Sequence, residues 1–265
     1  SGATSVCQKP SVCIIIPLFN KVEFTKKCLK ALFQNTPDGL YELILIDNNS
    51  SDGTKTFVHA IKRNNFKIII NEKNNGFAKA CNQGAKAAST EYLLFLNNDT
   101  EPKMGWLEPL LNIAENDDSV AAVGSKLLYP DGTIQHGGVI IVDDRINNDS
   151  LQARNNHVNK PADAPEANRA TYCQALTAAC MLIKKSSFID VGGFDEGYWN
   201  GYEDVDLCFK LQEKGCKLVY QPESVVIHHE SKSGQERFAK VLDNIERLHK
   251  KWLGKIKPDI ILNQD

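Results

Sequence analysis

Residues 12–96 alternate between short β-branched or aromatic apolar runs and helical spacings, and that alternation limits the folds open to the chain. Runs at 12–16, 41–46, 66–70 and 92–96 read as strands. Between them, 22–33 sets Phe24, Cys28, Leu29, Leu32 and Phe33 at helical spacing. A second helix carries Phe57, Val58 and Ile61, and 78–88 reads as a small-residue helix. Such a β-α-β-α order predicts a parallel sheet with right-handed crossovers, covered on both faces. There is no GxGxxG fingerprint and no Walker motif, so the sheet carries no dinucleotide or P-loop signature.

Three of these strands end in polar groups. The first runs into Pro17-Leu18-Phe19-Asn20 and the second into Asp47-Asn48-Asn49-Ser50-Ser51-Asp52-Gly53. The fourth, Leu93-Leu94-Phe95-Leu96, breaks into Asn97-Asn98-Asp99. Ligands of open α/β sheets collect beyond the carboxyl ends of the strands, so these loops predict a cleft. Asp99 at its edge suits a hard divalent cation meeting a diphosphate, although Asn-Asn-Asp is also a common turn. Asp47 suits a base N–H; a turn or N-cap aspartate has the same signature. Asn74-Asn75-Gly76 reads as a tight turn that points backbone N–H groups at an anion before a helix. Lys79, one turn in, reaches the same anion or stays solvated.

The second half is less regular. A helix is expected over 106–114, strands over 120–123, 139–142 and 177–183, and a polar surface excursion over 143–169. A helix over 203–214, stopped by Gly215, precedes short strands at 217–220 and 225–227. Residues 234–252 close the chain as a helix with Phe238, Val241, Leu242, Ile245 and Leu248 at helical spacing. Glu203-Asp204-Val205-Asp206 opens the 203–214 helix after the aromatic, Gly-rich stretch 192–199. Acids are usual at a helix N-terminus, yet a helix also turns Asp204 about 100° away from Glu203, so the three carboxylates need not share a role. His228-His229 follows a strand and offers an imidazole to a cation held by Asp99, or one buried and one exposed histidine without ligand duty. Residues 231–234 read as a flexible segment able to fold over the site.

The 265 residues fit one large α/β domain or two small ones. A net charge of −2 excludes a nucleic-acid binder working through a broad basic field. No apolar run reaches the ~18–20 residues of a membrane span. None of the eight cysteines forms a CxxC pair, so they read as small buried hydrophobes in a reducing compartment rather than zinc ligands. Ser1-Gly2 is compatible with an expression scar, and the undistinguished end with an excised module of a longer protein. The expected bounds are 1–10 for a tag or flexible N-terminus, 11–100 and 101–235 for two halves of one domain, and 236–265 for a C-terminal helix and tail.

In order along the chain, seven motifs resemble family 2 glycosyltransferases of the GT-A fold. They are Ile14-Ile15-Ile16-Pro17-Leu18-Phe19-Asn20, then Ile46 through Thr54, Asn75-Gly76-Phe77 with Asn82-Gln83-Gly84, and Leu96-Asn97-Asn98-Asp99. Gly192-Gly193-Phe194-Asp195-Glu196, Tyr202-Glu203-Asp204-Val205-Asp206-Leu207 and His228-His229 complete the set. The likeness is to the bacterial branch containing rhamnosyltransferases and related polysaccharide-building enzymes. It implies an α/β, Rossmann-like, mostly parallel sheet flanked by helices, with a smaller mixed acceptor-side region. It also implies inverting, metal-dependent transfer from a nucleotide-diphospho-sugar (UDP- or dTDP-) to a saccharide or lipid-linked saccharide. In this reading Asp204 is the catalytic base, and Asp99 and His228 hold Mn²⁺ or Mg²⁺. The donor contacts Pro17, Leu18, Phe19, Asn20, Asp47, Asn75, Gly76, Lys79, Asn97 and Asn98. Trp199, Tyr202 and Glu203 face the acceptor. The first acid of the family's DxD motif is Asn97 here, which removes a charge and predicts weaker metal affinity. A cytoplasmic location follows, with membrane association at the cytoplasmic face through a lipid-linked acceptor or missing flanks. Two other readings stand beside this one. A sugar nucleotidyltransferase needs a Gly-rich, basic loop after the first strand, which Leu18-Phe19-Asn20-Lys21 lacks. A non-catalytic carbohydrate- or nucleotide-binding module of a larger protein is favoured by Asn97.

Overall fold

The computed structural model describes residues 9–144, 149–230 and 235–262. Its first half runs β1 (Val12–Leu18), α1 (Val22–Asn35), β2 (Tyr41–Asp47), α2 (Thr54–His59), β3 (Phe66–Ile70), α3 (Phe77–Ala87) and β4 (Tyr92–Leu96). Then follow β5 (Thr100–Pro102), α4 (Leu107–Asn116), β6 (Val120–Leu128), β7 (Ile134–His136), β8 (Val139–Asp144), β9 (Asp149–Asn155) and β10 (Thr171–Tyr172). The chain continues with β11 (Cys180–Lys184), α5 (Lys185–Asp190), α6 (Glu203–Glu213), β12 (Lys217–His228), α7 (Gln235–Trp252) and β13 (Ile260–Leu262).

One sheet, in the order β10-β12-β6-β11-β4-β1-β2-β3, joins both halves of the chain. The four strands of the first half pair in parallel, as their alternation with helices requires. β11 then enters antiparallel between β4 and β6, and β6 pairs in parallel with β12. The result is parallel on one side and mixed on the other. Alternate residues of each strand feed opposite faces. Ile14, Ile16, Leu94 and Leu96 pack with α1 and α4 in one cluster, and Cys13, Ile15, Leu93 and Phe95 pack with α3 and α6 in another. From α7, Leu248 and Trp252 join the second cluster, where Trp252 meets Phe209 edge-on at 5.6 Å.

Several second-half expectations are corrected. The strands expected at 217–220 and 225–227 are one strand, β12, whose register with β6 slips between Gln221 and Val225. Pro222 lies in that slip, where its missing N–H removes no ladder bond. The strand expected at 120–123 continues to Leu128 as β6, buried along its whole length. Its polar residues are satisfied inside: Ser125 Oγ pairs with Ser224 Oγ at 2.7 Å, and Lys126 Nζ donates to the Ala162 carbonyl at 2.7 Å. The excursion expected over 143–169 folds instead into a second sheet, β13-β8-β9, and a short 3₁₀ turn at Pro165–Ala167. The strand expected from 177 begins at Cys180, and α2 ends before Ile61. Residues 231–234, the Phe238 side chain and Cys7 lie outside what the structure describes. The seven described cysteines are unpaired with one another, and burial pushes the Cys28 and Cys180 thiols up to about 12. No helix among the described residues is long and apolar enough to cross a membrane.

Candidate functional site

The loops after β1, β2 and β4 meet the start of α6 and the end of β12 around a cleft of about 410 Å³. That volume falls within the ~300–1,000 Å³ of small-molecule sites. Asp99 and Asp204, separated by more than 100 positions in the chain, line the same cleft.

Asp99 is placed by its neighbours on both sides. β4 delivers it at the sheet edge, and β5 begins at the next residue. β5 pairs antiparallel with the end of β12, setting Thr100 opposite His228, and the His229 N–H donates to the Asp99 carbonyl at 2.9 Å. His228 Nε2 thereby lies 3.2 Å from Asp99 Oδ1. One hard carboxylate and one imidazole suit Mn²⁺ or Mg²⁺, which fill the rest of their coordination with phosphate oxygens and water. Among the described residues no group of three His, Cys, Asp or Glu side chains converges to cage a metal. The donor set therefore fits a cation shared with a phosphorylated ligand rather than a closed structural site.

Asp204 sits in the first turn of α6, behind Tyr202, whose φ of 67° is left-handed. Such a backbone is costly for a bulky residue and is concentrated at functional sites. Asp204 Oδ2 accepts the Ala178 N–H at 3.0 Å and Oδ1 the Val205 N–H at 2.9 Å. Burial raises the Asp204 carboxyl above its ordinary range, while these N–H donors oppose the shift. A carboxyl whose basicity is raised by burial is better suited to accept a proton than an ordinary aspartate. Ala179, next to Ala178, accepts the Asn97 N–H through its carbonyl at 3.0 Å. Residues 177–179 thus brace the Asn97–Asp99 segment against the start of α6. Behind them, buried His136 donates from Nδ1 to the Ser125 carbonyl and accepts the Thr177 N–H at Nε2, 3.4 Å away. Burial pushes His136 down to about 4, so it stays neutral.

Of the residues singled out in the sequence, Pro17, Leu18, Phe19, Gly76, Asn97, Asn98, Asp99, Glu203, Asp204 and His228 line the cleft. Asn20, Asp47, Asn75, Lys79, Trp199 and Tyr202 do not. Asp47 is fully buried, with Oδ1 taking the Ser50 hydroxyl at 2.5 Å; its neighbour Asn48 is on the wall. Asn20 ties loops together, its Oδ1 accepting the Ser51 N–H at 2.7 Å. Lys79 points to solvent. Trp199 stands behind Gly76: a Cβ there would lie 3.0 Å from the indole, and φ is +81°, so the turn needs glycine twice over. Asn200 Oδ1 accepts the Phe77 N–H at 2.9 Å, so a side chain already occupies one donor at the α3 N-terminus. Glu203 Oε2 accepts the Gly201 N–H at 2.7 Å and holds that loop. Sequence reasoning missed Asn48, Asn74, Gln135, Asn155 and Glu230 on the wall. Asn48 and Asn74 carried a signal, lying in the polar loops already singled out. Gln135 and Asn155 carried none.

Comparison with known proteins agrees with this architecture. The model of "Glycosyl transferase family 2" matches residues 13–190, and that of "N-terminal domain of galactosyltransferase" matches 165–248. The O-antigen biosynthesis protein RfbC of Myxococcus xanthus is 31% identical over 84% of this chain and 18% of its own length. The N-acetylglucosaminyl-diphospho-decaprenol L-rhamnosyltransferase of Mycobacterium tuberculosis is 28% identical over 72% of this chain and 67% of its own length. Against two other curated relatives the chain spans 28% and 42% of the full length. Among solved structures, GalNAc-T7 with UDP, GalNAc and Mn²⁺ superposes with a TM-score of 0.72 at 18% identity, over 93% of this chain and 49% of that one. At that identity the likeness speaks for the GT-A fold alone. The family model covers the β1–β4 loops and β11, which carry much of the cleft, and on that match the chain belongs to glycosyl transferase family 2.

Proposed function

We propose that this chain is an inverting, metal-dependent glycosyltransferase domain. It moves a sugar from a nucleotide-diphospho-sugar, a UDP- or dTDP-sugar, to a hydroxyl of a saccharide or lipid-linked saccharide in glycan assembly. The observation that carries the reading is the cleft shared by Asp99 and His228 on one side and Asp204 on the other. Family membership supports it, and a protein of the same fold, GalNAc-T7, is described with UDP, GalNAc and Mn²⁺.

Asp204 takes the proton of the acceptor hydroxyl as that oxygen bonds to the anomeric carbon. The bond from the anomeric carbon to the diphosphate breaks on the opposite face, and its electron pair leaves with the nucleoside diphosphate. Inversion follows because one displacement occurs with no enzyme nucleophile. A divalent cation held by Asp99 and His228 would screen the charge building on the leaving diphosphate. Phe19, largely exposed, lines this cleft with Asn48, Asn155 and Glu230, so all four are available to the two substrates.

The test follows nucleoside diphosphate release from UDP- and dTDP-sugars with Mn²⁺ and a panel of saccharide acceptors. Release that stops with EDTA and returns with added Mn²⁺ is expected. Donors left intact across the panel by folded protein would overturn the reading.

A further inference from the structure

Gln135 lies on β7, in a stretch where the sequence offers no chemical signal. It is 4% exposed and bonds to two groups beside the cation-binding pair. Its Oε1 is 2.7 Å from His228 Nδ1, and its Nε2 donates to Glu230 Oε2 at 3.3 Å. An ionised carboxylate only accepts, so Glu230 turns the amide NH₂ toward itself and the amide oxygen toward His228. That oxygen also only accepts, so Nδ1 must carry the imidazole proton. Nε2 is the ring nitrogen that faces Asp99 Oδ1, 3.2 Å away, so with the proton on Nδ1 alone its lone pair is offered on the Asp99 side.

We propose that Gln135 is a positioning residue: held by Glu230, it selects the Nδ1–H tautomer of His228 and so makes Nε2 a cation ligand beside Asp99. The idea rests on the metal reading given above, but its first consequence needs no metal. Removing a hydrogen-bond partner of a ligating histidine typically costs ~10–100-fold in metal affinity.

The experiment is long-range ¹H–¹⁵N NMR of the histidine side chains, with His228 assigned by substitution, at pH 7.5 and then with Mn²⁺ alone added. Wild-type His228 is expected as the Nδ1–H tautomer, broadened early in the titration. Gln135→Leu keeps the volume and removes the acceptor. It should admit the Nε2–H tautomer and move the Mn²⁺ midpoint up at least tenfold. The swap Gln135→Glu with Glu230→Gln keeps an acceptor on His228 Nδ1 and reverses only the 135–230 hydrogen bond, so it should restore tautomer and midpoint. A wild-type His228 that is Nε2–H or doubly protonated overturns the proposal. So does a Gln135→Leu protein that keeps the wild-type tautomer and midpoint. An Nδ1–H ring that Mn²⁺ never broadens would uphold the relay and overturn the metal reading, so the two failures are distinguishable.

Discussion

Asp206 lies two residues beyond Asp204 on α6, yet its carboxylate does not reach the cleft. It is fully buried and accepts the Trp252 Nε1–H at 2.8 Å and the Tyr198 hydroxyl at 3.2 Å, with Lys251 Nζ at 2.5 Å. Glu203 meanwhile braces Gly201. Three acids on one helical turn therefore face three ways, Glu203 holding a loop, Asp204 lining the cleft and Asp206 anchoring a helix, as the turn angle between them allows. Asp204→Asn should leave donor affinity unchanged in calorimetry and lower turnover by ~10²–10⁴, the usual contribution of a general base. The wild-type rate should fall as pH drops through a value above the ordinary 3.8 of an aspartate, because burial raises the carboxyl and only the ionised form accepts a proton. A folded-state value above the unfolded one also makes ionised Asp204 a liability for stability as pH rises through it. The Asn variant should accordingly unfold no earlier than wild type at pH 7, which separates a catalytic loss from a folding loss. Asp99, Asp204 and His228 were legible because each closes or opens an element with an abrupt change of polarity. Asp47 lies buried behind the wall on which its neighbour Asn48 stands. Local backbone direction decides which of two adjacent polar residues lines the cleft, and no periodicity in a loop records it.

The elements of the first half were legible almost to the residue, because parallel strands covered on both faces must be apolar at every position. β6 and β12 were not. Lys126 and Pro222 interrupt their patterns, and only tertiary partners, the Ala162 carbonyl and the β6–β12 register slip, make those residues tolerable inside a strand. β5 and β7 are three residues each, too short to show a period, yet they place Asp99 and Gln135. Close packing between elements is also silent in a sequence until its glycine is tested. Gly84 of α3 lies on the sheet so tightly that a Cβ would sit 2.5 Å from Ile15 Cγ2 and 3.0 Å from Ile46 Cδ1. Gly84→Ala gains about 1 kcal/mol of helix propensity, but overpacking a filled core costs ~1–3 kcal/mol. Both methyl neighbours are themselves buried and have nowhere to go. A net loss of stability is expected, read as a lower urea midpoint with an unchanged slope. A variant as stable as wild type would mean that α3 slides freely on the sheet.

Across the whole molecule, α7 packs back to fasten the loop that precedes α6. Asn244 clamps the backbone of Trp199 from both sides, accepting its N–H at 3.0 Å and donating to its carbonyl at 2.8 Å. Arg247 and Lys251 grip Asp195, with Arg247 Nη2 at 2.9 Å and Lys251 Nζ at 3.0 Å from its oxygens. Lys251 also reaches Asp206, so one lysine joins the loop, α6 and α7. None of these pairs was visible in the sequence, because partners some 45 to 56 positions apart leave no local pattern. Their chemistry nevertheless makes the closure sensitive to acid. The two cations and the Gly197 N–H hold the Asp195 carboxyl well below its ordinary 3.8, against the opposing effect of burial. Between those two values the unfolded chain binds a proton that the folded chain does not, so stability falls as pH falls. Asp195→Asn removes that dependence while keeping the side chain's size. The wild-type protein should exceed the variant in stability by a constant margin above the ordinary aspartate range, and the two denaturation curves should approach each other as pH drops beneath it. Curves that stay parallel down to the acid limit would show that the ion pairs at Asp195 contribute nothing to holding α7 against the loop.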